Sequence, residues 1–246
     1  MLARTTPNAE DLLVKATAAR TPAARARAAR QGLAARQPLD KTTQALLLRQ
    51  LSLAFYEQED FARARQAAAM ALELGVLVDV IHQDAARAAV GAGDTEAAVR
   101  HLRLAARLGP ASRRPFHLWT LGSLLFLNHR YAEAGAALER AVRWGSRDKP
   151  LYRAHLALTR IAAGERVEGL QSTIDDLATA ACGQGYGRFV LGHLAYAAGA
   201  WDAARRYLEA FVTRSDSTRG ARRAVELALS GEIEMSRSTL AKMAAN

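Results

Sequence analysis

The sequence predicts an all-α protein built of helical hairpins stacked one after another, and three observations carry that prediction. The stretch Leu51–Leu74, LSLAFYEQEDFARARQAAAMALEL, reads as a helix, a tight turn at Glu59–Asp60 and a second helix running back. The same pattern returns about every thirty-four residues, the period of a helical-hairpin repeat array. No run of alternating β-branched residues marks a strand, while 50% of the 246 residues are hydrophobic and alanine is abundant, as closely crossing helices require.

In chain order, residues 9–20 and 22–36 form two helices around Thr21–Pro22. The second carries Arg25, Arg27, Arg30 and Arg36 among alanines, and both residue types favour helix. Residues 1–44 are expected to be a basic, degenerate capping unit, since the ends of an array need a polar outer face. Gln37–Thr43 is a connector in which Asp40 or Thr42 can cap the next helix. Five repeats follow at 45–78, 79–112, 115–148, 150–183 and 185–218, with Arg113–Arg114 extra between the second and third. Residues 219–246 form a weaker sixth unit: a helix over Arg222–Ser230, a turn at Gly231–Glu232, and a polar helix over Ile233–Met243. Asp176–Gly187, with three glycines around Cys182, is the loosest junction and the expected hinge.

Five segments align on the turn: Ala54–Ala64, Ala88–Ala98, Leu124–Ala134, Thr159–Gly169 and Ala195–Arg205. An apolar residue follows the turn (Phe61, Tyr131, Val167, Trp201; Thr95 departs), then in most copies an alanine (Ala64, Ala98, Ala134, Ala204). Leu51–Ser52, Ala85–Ala86, Leu121–Gly122, Leu156–Ala157 and Leu191–Gly192 place a small residue in each first helix. Ala71, Ala105 and Ala141 repeat late in the second helices, and Gly75, Gly109 and Gly145 close them, where positive φ is expected. Together these features resemble the tetratricopeptide repeat (TPR) family. The resemblance implies a right-handed α-α superhelix with first helices on its concave side and a protein partner in the groove. By that geometry Arg49, Tyr56, Gln83, Arg87, Phe116, Trp119, Ser123, Phe126, Tyr186, Phe189, His193 and Tyr196 face the partner. Tyr131, Trp144 and Trp201 fall at packing positions instead. The family's carboxylate clamp would find Arg49 and Arg87 here, but Leu53 stands where its asparagine belongs.

The formal charge is +10, and 1–44 holds eight basic against three acidic residues. Such a balance steers association with acidic partners, nucleic acid or anionic lipid without setting the fold. With no interleaved aromatics or recognition motif, nucleic-acid binding by the arginines is the weaker expectation. Cys182 is the sole cysteine, which excludes an internal disulfide or a thiolate metal cluster and suggests an inert, buried thiol. His82, His101, His117, His129, His155 and His193 show no i, i+4 pair for a metal and are expected at the surface or in the groove. Asp175–Asp176 point apart on a helix, and Gly183–Gly187 lacks the Lys-Ser/Thr ending of a phosphate loop. Neither catalysis, cofactor nor metal is therefore expected. No apolar stretch approaches membrane-spanning length and the N-terminus lacks a signal-peptide core, so the expected location is the cytoplasm.

The aromatic first-helix residues Phe116, Trp119, Phe126, Tyr186, Phe189 and Tyr196 contrast with 6% aromatics chain-wide. Aromatic anchors dominate binding hot spots, so the expected ligand is an apolar or amphipathic segment of another protein. Arg49 and Arg87 would orient its acidic flank. The alternative expectation is inter-repeat packing of these rings under cover of a terminal helix. The functional expectation is a bacterial adaptor or chaperone-like scaffold for a secretion, motility or envelope complex. Its rivals are a self-associating homo-oligomer, or capture of an acidic partner by the N-terminal arginines.

Overall fold

A computed structural model describes residues 8–35, 38–216 and 223–245. Among these residues the chain is all-helical, with fourteen α-helices packed in adjacent pairs and no strand. It divides into two compact units, Met1–Gly109 and Pro110–Asn246, and each is treated by itself. Arg36, Gln37 and Arg222, which figure in the sequence expectations, lie outside the described residues.

The first unit holds α1 (Ala9–Ala18), α2 (Pro22–Leu33), α3 (Lys41–Glu57), α4 (Phe61–Glu73), α5 (Val78–Gly91) and α6 (Thr95–Leu108). Each of α1–α4 and α6 starts on a side chain that accepts otherwise orphaned backbone N–H groups: Asn8, Thr21, Asp40, Asp60 and Asp94. The basic second helix is a packed element and not a free arm. It buries Ala26, Ala28, Ala29 and Gly32, and Arg25 turns inward to Glu57 at 2.7 Å. Arg30 lies 5.5 Å from the centre of the Phe55 ring. Ala45, Leu48, Ala68, Ala71, Ile81 and Ala85 form the core where α3, α4 and α5 meet.

The second unit holds α7 (Arg114–Leu127), α8 (Tyr131–Trp144), α9 (Lys149–Ala162), α10 (Leu170–Thr179), α11 (Gly187–Ala197), α12 (Trp201–Ser215), α13 (Arg223–Ala228) and α14 (Ser230–Ala244). In it α7 packs on α8, α8 on α9, α9 on α11, α11 on α12, and α12 on α14.

One backbone device makes the turn inside each of the five repeats. Glu59, Gly93, His129, Gly164 and Gly199 all have φ between 58° and 83°. The N–H of each bonds the carbonyl three residues back, and the next N–H bonds five back, as in Asp60→Phe55 and Ala200→Ala195 at 2.9 Å. This is the Schellman closure, which satisfies the last carbonyls of a helix. The second helix then begins two residues after the left-handed residue at Phe61, Thr95, Tyr131 and Trp201. The fourth hairpin departs from the expected phase. Gly169 is also left-handed (φ 64°) and delays α10 to Leu170, so Val167 lies in the loop and does not open the helix.

Small residues in the first helices let the pairs cross closely. A Cβ on Gly122 would lie 2.6 Å from Leu138 Cγ, and one on Gly192 2.4 Å from Leu208 Cδ2. In the first pair Ser52 donates to the Ala64 carbonyl at 2.9 Å. Leu208 is fully buried and has nowhere to retreat. Gly192→Ala is therefore expected to cost about 1–3 kcal/mol, measured by urea unfolding. Trp119, Trp144 and Trp201 are the three tryptophans, so their emission reports the second unit alone.

Several expectations need correction. Only Gly75 ends its helix with positive φ (70°), whereas Gly109 and Gly145 are extended. Gly145 is required for space, since a Cβ would lie 2.8 Å from the Tyr152 ring. In the segment expected as a hinge the backbone packs closely on itself. A Cβ on Gly183 would meet the Leu177 carbonyl at 2.1 Å, and one on Gly187 the Cys182 carbonyl at 2.3 Å. Cys182 itself is half-buried. No turn occurs at Gly231–Glu232: the chain breaks at Leu229, and both residues lie in the first turn of α14. Gly231 sits there against Leu127, where a Cβ would be 3.3 Å from the leucine methyl.

Candidate functional site

In the first unit the expected partner-facing residues are already engaged. Asp84 on α5, 4% exposed, accepts from Arg49 Nε at 2.5 Å and from Arg87 Nη1 at 2.9 Å. Arg87 also lies 6.0 Å from the centre of the buried Tyr56 ring, and Gln83 is half-buried beside this cluster in sequence. The two arginines that the resemblance assigns to a partner's carboxylate thus hold one of the chain's own. Asp84 went unnoticed in the sequence, though it stands three residues before Arg87 and one repeat after Arg49.

In the second unit the first helices converge, and two rings of the expected aromatic wall become interior while Trp119, Tyr186 and Tyr196 are half-buried. Phe126 is 2% and Phe189 0% exposed, so neither ring can meet a solute. Ser123 and His193 are buried as well. Trp119 and Tyr186 meet edge to face at 4.8 Å, and Tyr186 packs on Phe189 at 5.4 Å. At the centre is His155 on α9, contacting Phe126, Tyr186 and Phe189 and accepting from Trp119 Nε1 at 3.2 Å. Phe116 remains outside, as do parts of Trp119 and Tyr196.

The histidines correct the surface expectation. His82, His117, His155 and His193 are all buried. Burial holds His155 down to about 3, helped by the nearby His193, and holds His193 down to about 4. Both rings are neutral near pH 7, yet the Nε2 of each is buried with no hydrogen-bond partner. In the first unit His82 and His101 face each other with Nδ1 atoms 3.0 Å apart. Burial lowers both, helped at His82 by the facing His101 and at His101 by Arg100 and Arg65.

A polar knot closes this interior. Ser123 Oγ lies 2.5 Å from Tyr186 Oη and donates to Glu232 Oε1 at 3.3 Å, while Tyr186 also bonds Glu232. Glu232, on α14, is 5% exposed, and burial pushes its carboxyl up to about 7. Sequence reasoning missed it by placing it in a turn. Among the described residues no group of three or more His, Cys, Asp or Glu is placed to hold a metal.

Two rings expected inside are outside. Trp144 is 45% exposed between Arg114 and Arg140, whose guanidinium carbons lie 5.8 and 5.1 Å from its centre. Trp201, 52% exposed, opens α12 and stands edge-on to Tyr196 at 5.1 Å. Trp144 ends α8 and Trp201 opens α12.

No family model matches the chain, and no curated protein matches it. Among solved structures it is similar to a TPR repeats protein from Bacteroides fragilis at 13% identity. That likeness covers 98% of this chain and 99% of the other, with a TM-score of 0.37. No helix among the described residues is long and apolar enough to cross a membrane.

Proposed function

We propose that the chain is a protein-interaction scaffold that binds an apolar or amphipathic segment of a partner on the outer aromatics of its second unit. The observation that carries this reading is the exposed Trp201 indole, which stands edge-on to the half-buried Tyr196. Indole surface left in water at a helix start is a typical anchor for a partner, and Trp and Tyr lead binding hot spots. Phe116 at 43% exposure, leaning on Trp119 at 5.8 Å, supplies a second aromatic foothold on the same unit. Arg49 and Arg87 have no part in this reading, because Asp84 already neutralises one of their two charges.

Site-specific photo-crosslinking in the native cell tests it. A photoreactive side chain at Trp201 or Phe116 is expected to trap one defined protein, and the same group at exposed Glu139 to trap none. Adducts joining two copies of the chain would replace the scaffold by self-association. Indiscriminate adducts from all three positions would end the proposal.

A further inference from the structure

Helix α14 lies across the second unit as a polar-faced closure. Its buried side is Glu232, Ile233, Ser236, Thr239 and Met243, with a single large aliphatic contact at each end. Met243 packs with Ala195, Ala204 and Tyr196 at one end, and Glu232 enters the Ser123–Tyr186 knot at the other. Ser236 Oγ donates to the Glu232 carbonyl at 2.7 Å, so that hydroxyl is spent within the helix. The polar grip on Ser123 of α7 and on Tyr186 therefore runs through one carboxyl group.

Among the described residues no counter-ion faces this carboxyl. From α7 it meets the Ser123 hydroxyl, and from the start of α11 the Tyr186 phenol. Behind them stand the neutral imidazoles of His155 and His193. On α12, Asp202, Arg205, Arg206, Glu209 and Arg214 line a separate depression with Arg188. Arg223 of α13 pairs with Glu226 at 2.9 Å, and Glu234, Arg237 and Lys242 of α14 are exposed. When Glu232 is protonated, the three hydroxyls can close a ring in which each donates once and accepts once. Ionised, it becomes an acceptor only and a buried anion, and with two protons left among the three groups one of the three bonds is lost.

We propose that α14 is a proton-operated strap, held across the inner side of the second unit by the neutral Glu232 carboxyl and loosened when that carboxyl ionises. Burial raises the group from 4.5 to about 7 in the closed state. A raised acid binds its proton in the closed state and loses it in the open one, so closure is strongest below pH 4.5 and weakens as pH rises to 7. The opening constant of α14 is expected to increase roughly a hundredfold across that window. Release would uncover Ser123, Leu127, Tyr186 and the alanine pair on α11 and α12.

Hydrogen exchange on the full chain tests this, following amides 233–243 against those of α8 as a reference in the same unit. After correction for intrinsic exchange, opening of α14 relative to α8 should rise roughly a hundredfold from pH 4.5 to 7. In E232Q it should stay flat. The same pH dependence in both proteins, or none in the wild type, overturns the strap. The carboxyl carbon chemical shift of Glu232 in the wild type provides a check independent of any variant. A midpoint near 7 supports the proposal, and one near the ordinary glutamate value of 4.5 sinks it.

Discussion

Replacing His193 by Phe is expected to stabilise the second unit, and to do so increasingly as pH falls. The ring of His193 lies 4.7 Å from Phe189, and its Nε2 is buried with no partner. A phenyl ring there removes an unsatisfied polar atom, a gain of about 1 kcal/mol at pH 7. The larger effect comes from linkage. Between pH 6.5 and about 4 the unfolded chain binds a proton at this position that the folded chain refuses. Wild-type stability therefore falls as pH falls, by about 1.4 kcal/mol per pH unit from this residue. His155 adds the same slope down to about 3, where protonation of Nδ1 would also evict the Trp119 indole N–H. Glu232 opposes them between 4.5 and 7, because there the folded chain holds a proton the unfolded chain has released. The balance puts the wild-type maximum near pH 6.5. At pH 4.5 the phenylalanine variant should gain about 3 kcal/mol beyond its advantage at pH 7. Urea unfolding followed by tryptophan emission measures this, and parallel pH profiles for the two proteins would refute it.

Glu57→Leu should cost the first unit about 3–5 kcal/mol. Arg25 Nη1 meets Glu57 Oε1 at 2.7 Å with side chains only 7% and 9% exposed, so the pair joins α2 to α3 out of water. Removing the carboxylate strands a guanidinium whose remaining contact is a long bond, 3.5 Å, to the Ala19 carbonyl. The double variant Arg25→Met with Glu57→Leu should recover most of the loss, since buried ion pairs give little net stability over a packed apolar pair. Hydrogen exchange of α3 amides is the readout, because the tryptophans lie in the other unit. A loss below about 1 kcal/mol for the single variant would show that the pair is solvated.

Local rules made the hairpins legible in the sequence. The turns are legible because small or polar residues recur there at one period; in the structure Gly93, Gly164 and Gly199 take the left-handed position. The crossings were found because Gly122 and Gly192 recur at one phase. The fourth hairpin misled because Val167 looks like Phe61 or Tyr131, while Gly169 next to it resets the helix start. Burial was less legible, because period and phase say which way a side chain points on its own helix and nothing of how far the next first helix stands. That is why Phe126 and Phe189 follow the alternative expectation of inter-repeat packing and His155 lies among them, while Trp144 and Trp201, expected inside, stand out. Charge partners such as Asp84 and Glu232 were hidden for a related reason: each is one ordinary acid in a helix, given meaning by residues 35 and 109 positions away.

The five chain reversals are closed by main-chain bonds, and their flanking side chains differ freely: Glu-Asp, Gly-Asp, His-Arg, Gly-Glu and Gly-Ala. Architecture and electrostatic decoration are therefore uncoupled at the hairpin tips. Mutation can turn a tip from acidic to basic to neutral, as the five copies already have, while the two helices it joins keep their course.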